Sequence, residues 1–165
     1  MKNIFKNPFP KGDPDRRQLW EMLVKQDITA FCHQDWSMIA GDFIKDGFMG
    51  IDGRHLHNPD SWELTFPNLK SYKKEWLRQA REFAKTHWAD DPLRAIYEAT
   101  TLRDIEIKGK SALLHKKFDG YITKATQERV RLNWQTLYRC RKEKGRWKIS
   151  GFIGYLPNPM GVSTS

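Results

Sequence analysis

The sequence has no long apolar segment. No stretch approaches the roughly 20 apolar residues that a membrane-spanning helix requires. Residues 1–8 also hold no apolar run of the length found in signal peptides. The sequence therefore predicts neither a membrane span nor export, and a cytoplasmic location is the expectation.

Cysteine is scarce. The chain has two cysteines, Cys32 and Cys140, and both lie among apolar residues. A reducing compartment disfavours disulfides, and a free cysteine behaves as a small apolar residue. We therefore interpret both as buried free thiols.

The motifs of several enzyme classes are missing. There is no Walker-type phosphate loop and no GxGxxG, GxSxG or HExxH motif. His55 and His57 are spaced two apart and would share one face of a strand, where both could bind a metal. A zinc site normally takes three or four ligands, however, and no nearby cysteine completes a set. We interpret both as surface-loop histidines, and we predict no metal and no cofactor.

Acidic residues are outnumbered by basic ones. The chain has 29 Lys and Arg against 20 Asp and Glu, for a net charge of +9. Such a charge suits a nucleic acid, an anionic surface or an acidic ligand, or serves solubility alone. Glu143 is the one acid within a basic stretch made of Arg139, Arg141, Lys142, Lys144, Arg146 and Lys148. This stretch could contact phosphates, although a solvated sheet face is the commoner arrangement.

Aromatic residues, in contrast, are abundant. They make up 13% of the chain, and seven are Trp. Because each ring buries a large area, this composition indicates a core or a cavity walled by rings. The length of 165 residues fits one domain.

Apolar residues recur at helical spacing in three segments. After an irregular arm, residues 1–13, the pair Asp13-Pro14 begins a first helix. The spacing predicts a second short helix over 36–44 and a third over 68–88, which Asp90-Asp91-Pro92 ends. The first helix carries an apolar stripe that contains one carboxylate, Asp27, among Leu19, Trp20, Leu23, Val24, Ile28 and Phe31.

After Pro92 the period changes to two, which is typical of strands. Residues 93–107 and 111–123 are predicted as two strands, followed by a clean alternation over 129–141. The inner face of this third strand holds Val130, Leu132, Trp134, Thr136, Tyr138 and Cys140. A turn at Lys144-Gly145 leads to the last strand, whose predicted inner set is Trp147, Ile149, Gly151, Ile153 and Tyr155.

Helices followed by antiparallel strands predict an α+β domain, with the helices on one face of the sheet. A short strand is also predicted over 48–52, after the second helix. Gly120, Gly151 and Gly154 interrupt the long strands and would permit the sheet to curl. The domain is expected to span residues 14–156, with a C-terminal tail over 157–165.

The run Asp35-Trp36 … Phe43-Ile44-Lys45-Asp46-Gly47-Phe48, with the hairpin joined at Gly145-Arg146-Trp147, resembles the nuclear-transport-factor-2-like, or SnoaL-like, superfamily. The resemblance covers roughly residues 14–156 and rests on element order and short motifs. It implies three helices packed on a strongly curved antiparallel sheet, a cone-shaped half-barrel with a central pocket. Members include polyketide cyclases, ketosteroid isomerase, dehydratases and binders without catalytic activity.

The catalytic residues of ketosteroid isomerase are only partly matched in this sequence. Its general base corresponds to Asp52, within about one position. The tyrosine that it uses on the first helix corresponds to a position at or near Asp27. The carboxylic acid of the penultimate strand has no counterpart, because 129–142 contains no Asp or Glu, and Thr136 and Tyr138 are the nearest inward polar groups.

Asp27 and Asp52 are the candidate catalytic residues. A carboxylate on an apolar helix face is costly to bury unless it is paired or protonated. Asp27 is therefore either a general acid or base facing the pocket, or a structural residue that caps the next helix or pairs with an Arg. Asp52 precedes Gly53, and an Asp-Gly turn needs no catalytic role.

Aromatic rings and a hydroxyl are the candidate ligand-binding groups. They would suit a flat, mainly apolar ligand, or they simply fill the core. The set is Trp36, Trp76, Trp134, Thr136, Tyr138, Trp147 and Tyr155.

The leading hypothesis is a protein that binds a small, mainly apolar or aromatic organic molecule. Any chemistry would be proton transfer on a carbonyl compound, as in a cyclase, isomerase or dehydratase. The alternatives are a non-catalytic dimerising interaction module and, third, a nucleic-acid binder that uses the Arg-rich hairpin. A homodimer is expected through the outer sheet face, where Leu137 and Phe152 would lie among Arg, Asn and Gln.

Overall fold

The computed structural model describes residues 3–159, so residues 1–2 of the predicted arm and 160–165 of the predicted tail lie outside the described residues. Helical structure covers α1 (Pro14–Trp20), a π-helical stretch (Glu21–Gln26), α2 (Asp27–His33), α3 (Leu69–Lys85) and α4 (Pro92–Ala99). Asp13 caps α1 by accepting a hydrogen bond from the Arg16 backbone N–H at 3.1 Å. Within residues 3–159 no helix is long and apolar enough to span a membrane, and the cytoplasmic location stays a prediction.

Among the described residues, six strands form one open sheet, in the order β2-β1-β6-β5-β4-β3. They are β1 (Met49–Asp52), β2 (Glu63–Phe66), β3 (Thr100–Lys108), β4 (Ser111–Thr123), β5 (Arg129–Glu143) and β6 (Arg146–Leu156). All neighbours pair antiparallel except β1 and β6, which run parallel with Ile51 opposite Ile153. The predicted α+β class with a half-barrel sheet is confirmed. The sheet departs from the predicted antiparallel pairing only where β1 and β6 run parallel, which makes it mixed.

The first helix continues without a break from Pro14 to His33 through the π-helical stretch. A π-helical turn adds a residue and so rotates the face that follows it, and such turns are frequent at functional sites. Asp27 is the first residue after the stretch. Its side chain points toward the sheet rather than toward solvent, since it pairs with Lys116 of β4.

The predicted second helix over 36–44 is wrong. Two short 3₁₀ turns, Trp36–Met38 and Ala40–Asp42, replace it. Asp35 does cap the first turn by accepting from the Ser37 backbone N–H at 3.0 Å. The helix does not continue because Phe43 takes an extended conformation and bridges to Ile149.

The predicted strand over 93–107 begins too early, because its first residues form α4. Asp91 accepts from the Leu93 backbone N–H at 3.2 Å, and Pro92 occupies the first turn, so this pair starts a helix rather than ending the previous one. The buried residues of α4 include Ala95, Ile96 and Tyr97. The strand itself begins at Thr100.

The predicted inner set of β6 is wrong in part, because the strand contains bulges. Arg139 pairs with Gly151 while Cys140 pairs with Ile149, so β6 carries one extra residue there. An extra residue exchanges the two faces of the strand beyond it. Phe152, predicted outside, is therefore buried, and Ile153, predicted inside, lies opposite Leu137 on the outer face.

Candidate functional site

A cavity of about 320 Å³ lies between α2, α3 and the concave face of the sheet. Its volume is within the range of small-molecule sites, which start at about 300 Å³. Its walls are mainly apolar and aromatic: Ile28, Phe31, Tyr72, Trp76, Phe83, Ile96, Phe118, Leu132, Trp134, Phe152 and Tyr155. Phe118 and Trp134 stack on neighbouring strands with ring centroids 4.5 Å apart, so one wall is a continuous aromatic surface.

An ion pair lies in this cavity wall. The Lys116 ammonium of β4 donates to Asp27 Oδ2 of α2 at 2.8 Å. The lysine side chain is 2% exposed, whereas the aspartate side chain is 25% exposed. Because a buried charge is costly without a partner, each charge compensates the other. The pair forms a polar point in an otherwise apolar wall.

Hydroxyl groups supply further polar points. Thr136 and Tyr138 lie on β5, and Tyr155 lies on β6. Burial raises the pKa of Tyr138 well above its ordinary value and also raises that of Tyr155, so both hydroxyls keep their protons at neutral pH. The Gln79 side-chain amide of α3 lies within 3.2 Å and 3.3 Å of the Tyr155 hydroxyl.

His55 marks the opening of the cavity, since it is exposed to solvent and also lines the wall. Its backbone N–H donates to the Tyr155 carbonyl oxygen at 2.6 Å. Arg54 and His55 both have positive φ values, 53° and 58°. This strained turn folds the loop after β1 over the end of β6. The prediction that His55 is a surface-loop histidine is thus correct about its exposure. It did not include the position of His55 at the opening of the cavity.

The structure brings together six of the nine site residues named from the sequence: Asp27, Trp76, Trp134, Thr136, Tyr138 and Tyr155. The other three lie outside the cavity. Trp36 stacks on Phe43 at 5.1 Å in the core, and Trp147 donates through Nε1 to Asp15 at 2.9 Å. Asp52 accepts from the Arg54 backbone N–H at 2.8 Å, which is the structural turn considered as its alternative.

Within residues 3–159 no group of three or more His, Cys, Asp or Glu side chains is arranged to hold a metal ion. Both cysteines are free: Cys140 is buried and Cys32 is half-buried. Burial raises the pKa of the Cys32 thiol to about 11. The expected burial is therefore correct for Cys140 and too strong for Cys32.

Ion pairs within the chain occupy half of the basic stretch near the C-terminus. Lys142 binds Asp15 at 2.8 Å, Arg146 binds Asp42 at 2.6 Å, and Arg141 binds Glu143. Each of these three cations therefore has a carboxylate partner within the fold.

No protein-family model matches the sequence, and the search of curated proteins finds no match. Solved structures do match in shape. A protein of unknown function from Shewanella baltica OS155 is 12% identical with a TM-score of 0.55, over 88% of this chain and 96% of that one. A protein of unknown function from Pseudomonas putida KT2440 is 13% identical with a TM-score of 0.55, over 90% of each chain.

A third match is a protein of the nuclear-transport-factor-2-like superfamily from Salmonella enterica serovar Typhimurium LT2. It is 12% identical with a TM-score of 0.54, over 90% of this chain and 95% of that one. All three structures are described as nuclear-transport-factor-2-like. The chain has the nuclear-transport-factor-2-like fold. At these identities the likeness establishes the fold and leaves the ligand to be argued from the site.

In this nuclear-transport-factor-2-like fold, the cavity also contains residues that were not predicted from the sequence. Lys116 is the most important, and the sequence carried a signal for it. In β4, Ala112, Leu114, Lys116 and Phe118 are all buried at a spacing of two. Lys116 is therefore a cation on the apolar face of a strand, just as Asp27 is a carboxylate on the apolar stripe of a helix. Gln79 had no comparable signal, because a polar residue on an amphipathic helix is common.

Proposed function

We propose that the protein binds a small, mainly apolar organic molecule in the cavity between α2, α3 and the sheet. The observation that carries the proposal is the ion pair between Asp27 and Lys116 in an aromatic-walled cavity of about 320 Å³. An apolar pocket with a few convergent polar groups is the usual form of a small-molecule site. The aromatic surface of Phe118 and Trp134 suits a flat ring system.

Proton transfer on a carbonyl compound is the chemistry that this arrangement supports. Of the two carboxylates named from the sequence, Asp27 lies in the cavity wall and Asp52 does not. An exposed fraction of 25% leaves Asp27 accessible from the cavity side. A carboxylate within reach of a bound carbonyl compound acts as a base toward the proton beside the carbonyl group, as in cyclases, isomerases and dehydratases.

A neutral fluorescent probe, N-phenyl-1-naphthylamine, tests the binding proposal. We expect saturable binding with one site per chain, because the probe is apolar and its naphthyl and phenyl rings suit the aromatic wall of the cavity. Leu132→Trp enlarges a half-buried side chain of the cavity wall and should abolish binding, whereas Leu64→Trp, at an exposed residue outside the cavity, should leave binding unchanged. Circular dichroism of both variants verifies the fold. Equal binding by both variants, or no saturable binding by the wild type, would refute the proposal.

We also propose that the chain forms a homodimer through the outer face of its sheet. Thr136 and Tyr138 face the cavity, so Leu137 between them faces outward. Direct cross-strand pairing places Ile51, Ile153, Leu137 and His115 in one row on this face. The next row contains Met49, 39% exposed, and Arg139. Apolar residues bordered by arginine are typical of a two-fold interface, since the arginine stem covers apolar surface.

A further inference from the structure

The cavity contains few charged groups, and these set the polarity of its ligand. Seventeen residues line the cavity, and apart from His55 at the opening only Asp27 and Lys116 among them carry a formal charge at neutral pH. The two charges lie 2.8 Å apart and sum to zero. Tyr138 and Tyr155 add none, because burial raises the pKa of both.

The pair also retains hydrogen-bonding capacity. An ammonium group has three N–H donors and a carboxylate has two acceptor oxygens. Among the described residues, Asp27 Oδ2 is the one side-chain or backbone acceptor that the Lys116 ammonium contacts. A ligand oxygen can therefore accept from Lys116, and a ligand N–H or O–H can donate to Asp27 Oδ1.

We propose that the site selects an uncharged ligand whose polar end combines a carbonyl oxygen, bound by Lys116, with a neighbouring donor, bound by Asp27. This inference rests on the proposed function. A primary amide and an α-hydroxy ketone are examples of such an end. A ligand carboxylate would add an uncompensated negative charge to a pair that is already neutral, and a ligand ammonium would add a positive one. Either costs affinity in an apolar cavity.

Four two-ring competitors of nearly equal shape test the inference by displacing N-phenyl-1-naphthylamine at pH 7. They are 2-naphthamide, 2-acetonaphthone, 2-naphthoate and 2-naphthylmethylamine. The amide should bind most tightly, because it supplies both acceptor and donor, and the ketone, which lacks the donor, should follow. The anion and the cation should each bind about tenfold or more weakly than the amide.

Charge variants sharpen the test. Asp27→Asn leaves the site with the lysine charge and should shift the preference to naphthoate. Lys116→Met leaves the aspartate charge and should shift it to the ammonium compound. The double variant is neutral again, should keep the wild-type order, and remains informative if either single variant fails to fold.

The outcomes separate the two proposals. Absence of probe binding to the wild type would overturn the proposed function itself. Probe binding with equal displacement by all four compounds, or a preference that Asp27→Asn and Lys116→Met leave unchanged, would leave the proposed function standing and overturn this inference.

Discussion

At the scale of single residues, the two partners of the cavity ion pair differ in their access to water. Asp27 is 25% exposed and Lys116 only 2%. Phe118 lies beside the ammonium, with its ring centroid 5.3 Å from Lys116 Nζ, and adds a weak cation–π contact. If one partner is removed, the aspartate can be solvated from the cavity side, whereas the lysine stays in apolar surroundings.

This difference predicts an asymmetry between two substitutions. Asp27→Asn strands a buried charge and should lower the free energy of unfolding by about 3 kcal/mol, the lower end of the cost of breaking a buried pair. Lys116→Met leaves the partly exposed Asp27 carboxylate without its partner and should lower the free energy of unfolding by about 1 kcal/mol. Urea unfolding at pH 7 measures both. The double variant should recover most of the loss, and equal costs for the two single variants would contradict the argument.

At the scale of elements, the parallel pair β1–β6 depends on a glycine. A Cβ at Gly151 would lie 2.4 Å from the Met49 carbonyl oxygen, closer than any side-chain carbon can approach. The clash is with backbone, which cannot turn aside as a side chain would. Gly151 thus permits β1 to lie against β6 and extend the sheet beyond its four long strands.

Gly151→Ala should therefore destabilise the protein by about 1–3 kcal/mol, the usual cost of forcing extra volume into a packed region. Gly12→Ala is the matched control, because a Cβ at Gly12 meets nothing within 4 Å. Its effect should stay within about 0.5 kcal/mol. Thermal and urea unfolding measure both variants, and a neutral Gly151→Ala would mean that β1 does not hold this position.

The first turn of α1 is attached to the terminal hairpin through Asp15. Its Oδ1 accepts from Lys142 Nζ at 2.8 Å and from Trp147 Nε1 at 2.9 Å. These two hydrogen bonds lower the pKa of Asp15. A carboxyl group with a lowered pKa in the folded state stabilises the fold above its ordinary pKa, and this contribution is lost as the pH falls through the lowered value.

Asp15→Asn should accordingly reduce stability at pH 7, and the difference from the wild type should shrink below about pH 4, where the unfolded carboxyl becomes protonated. Urea unfolding at several pH values tests this, with Asp60→Asn, at an exposed residue of the short 3₁₀ turn Pro59–Ser61, as the control. A destabilisation that stays constant down to pH 2 would show that charge plays no part.

At the scale of the whole molecule, the net charge is +9, and two of the arginines that contribute to it, Arg129 and Arg131, lie on the outer sheet face. Arg129 and Arg131 stack on the exposed Tyr121 ring, at 3.9 Å and 4.7 Å from its centroid. Arg131 also binds Asp119 at 2.5 Å. These contacts hold arginine side chains flat against the sheet, where they can border an interface with a second copy.

Sedimentation velocity should show a dimer whose stoichiometry persists in moderate salt. Leu137→Glu places a charge in the centre of the proposed interface and should give a folded monomer, whereas Lys70→Glu, on the exposed surface of α3, should leave the dimer intact. A monomeric wild type that retards DNA or RNA with a steep salt dependence would overturn the dimer proposal and favour nucleic-acid binding.

Local pattern was enough for much of this architecture. Two of the three predicted helical segments are helices, the later period of two predicts the strands of an α+β domain, and the inner set of β5 follows from strict alternation. Trp134, Thr136 and Tyr138 line the cavity as predicted, and Leu132, which was predicted on the same inner face, also lines it. The sequence also singled out Asp27, because a carboxylate in an apolar stripe is conspicuous without knowledge of its partner.

Contacts between distant segments decided the rest. Asp27 and Lys116 are 89 positions apart, so no local pattern could pair them. The bulges in β6 exchanged Phe152 with Ile153, because their position depends on how β6 fits against β1 and β5. Residues 93–99 are apolar enough for either a strand or a helix, and packing against α2 and β4 selects the helix. Periodicity records which side of an element is apolar, whereas register, bulges and charge partners are set only when elements meet.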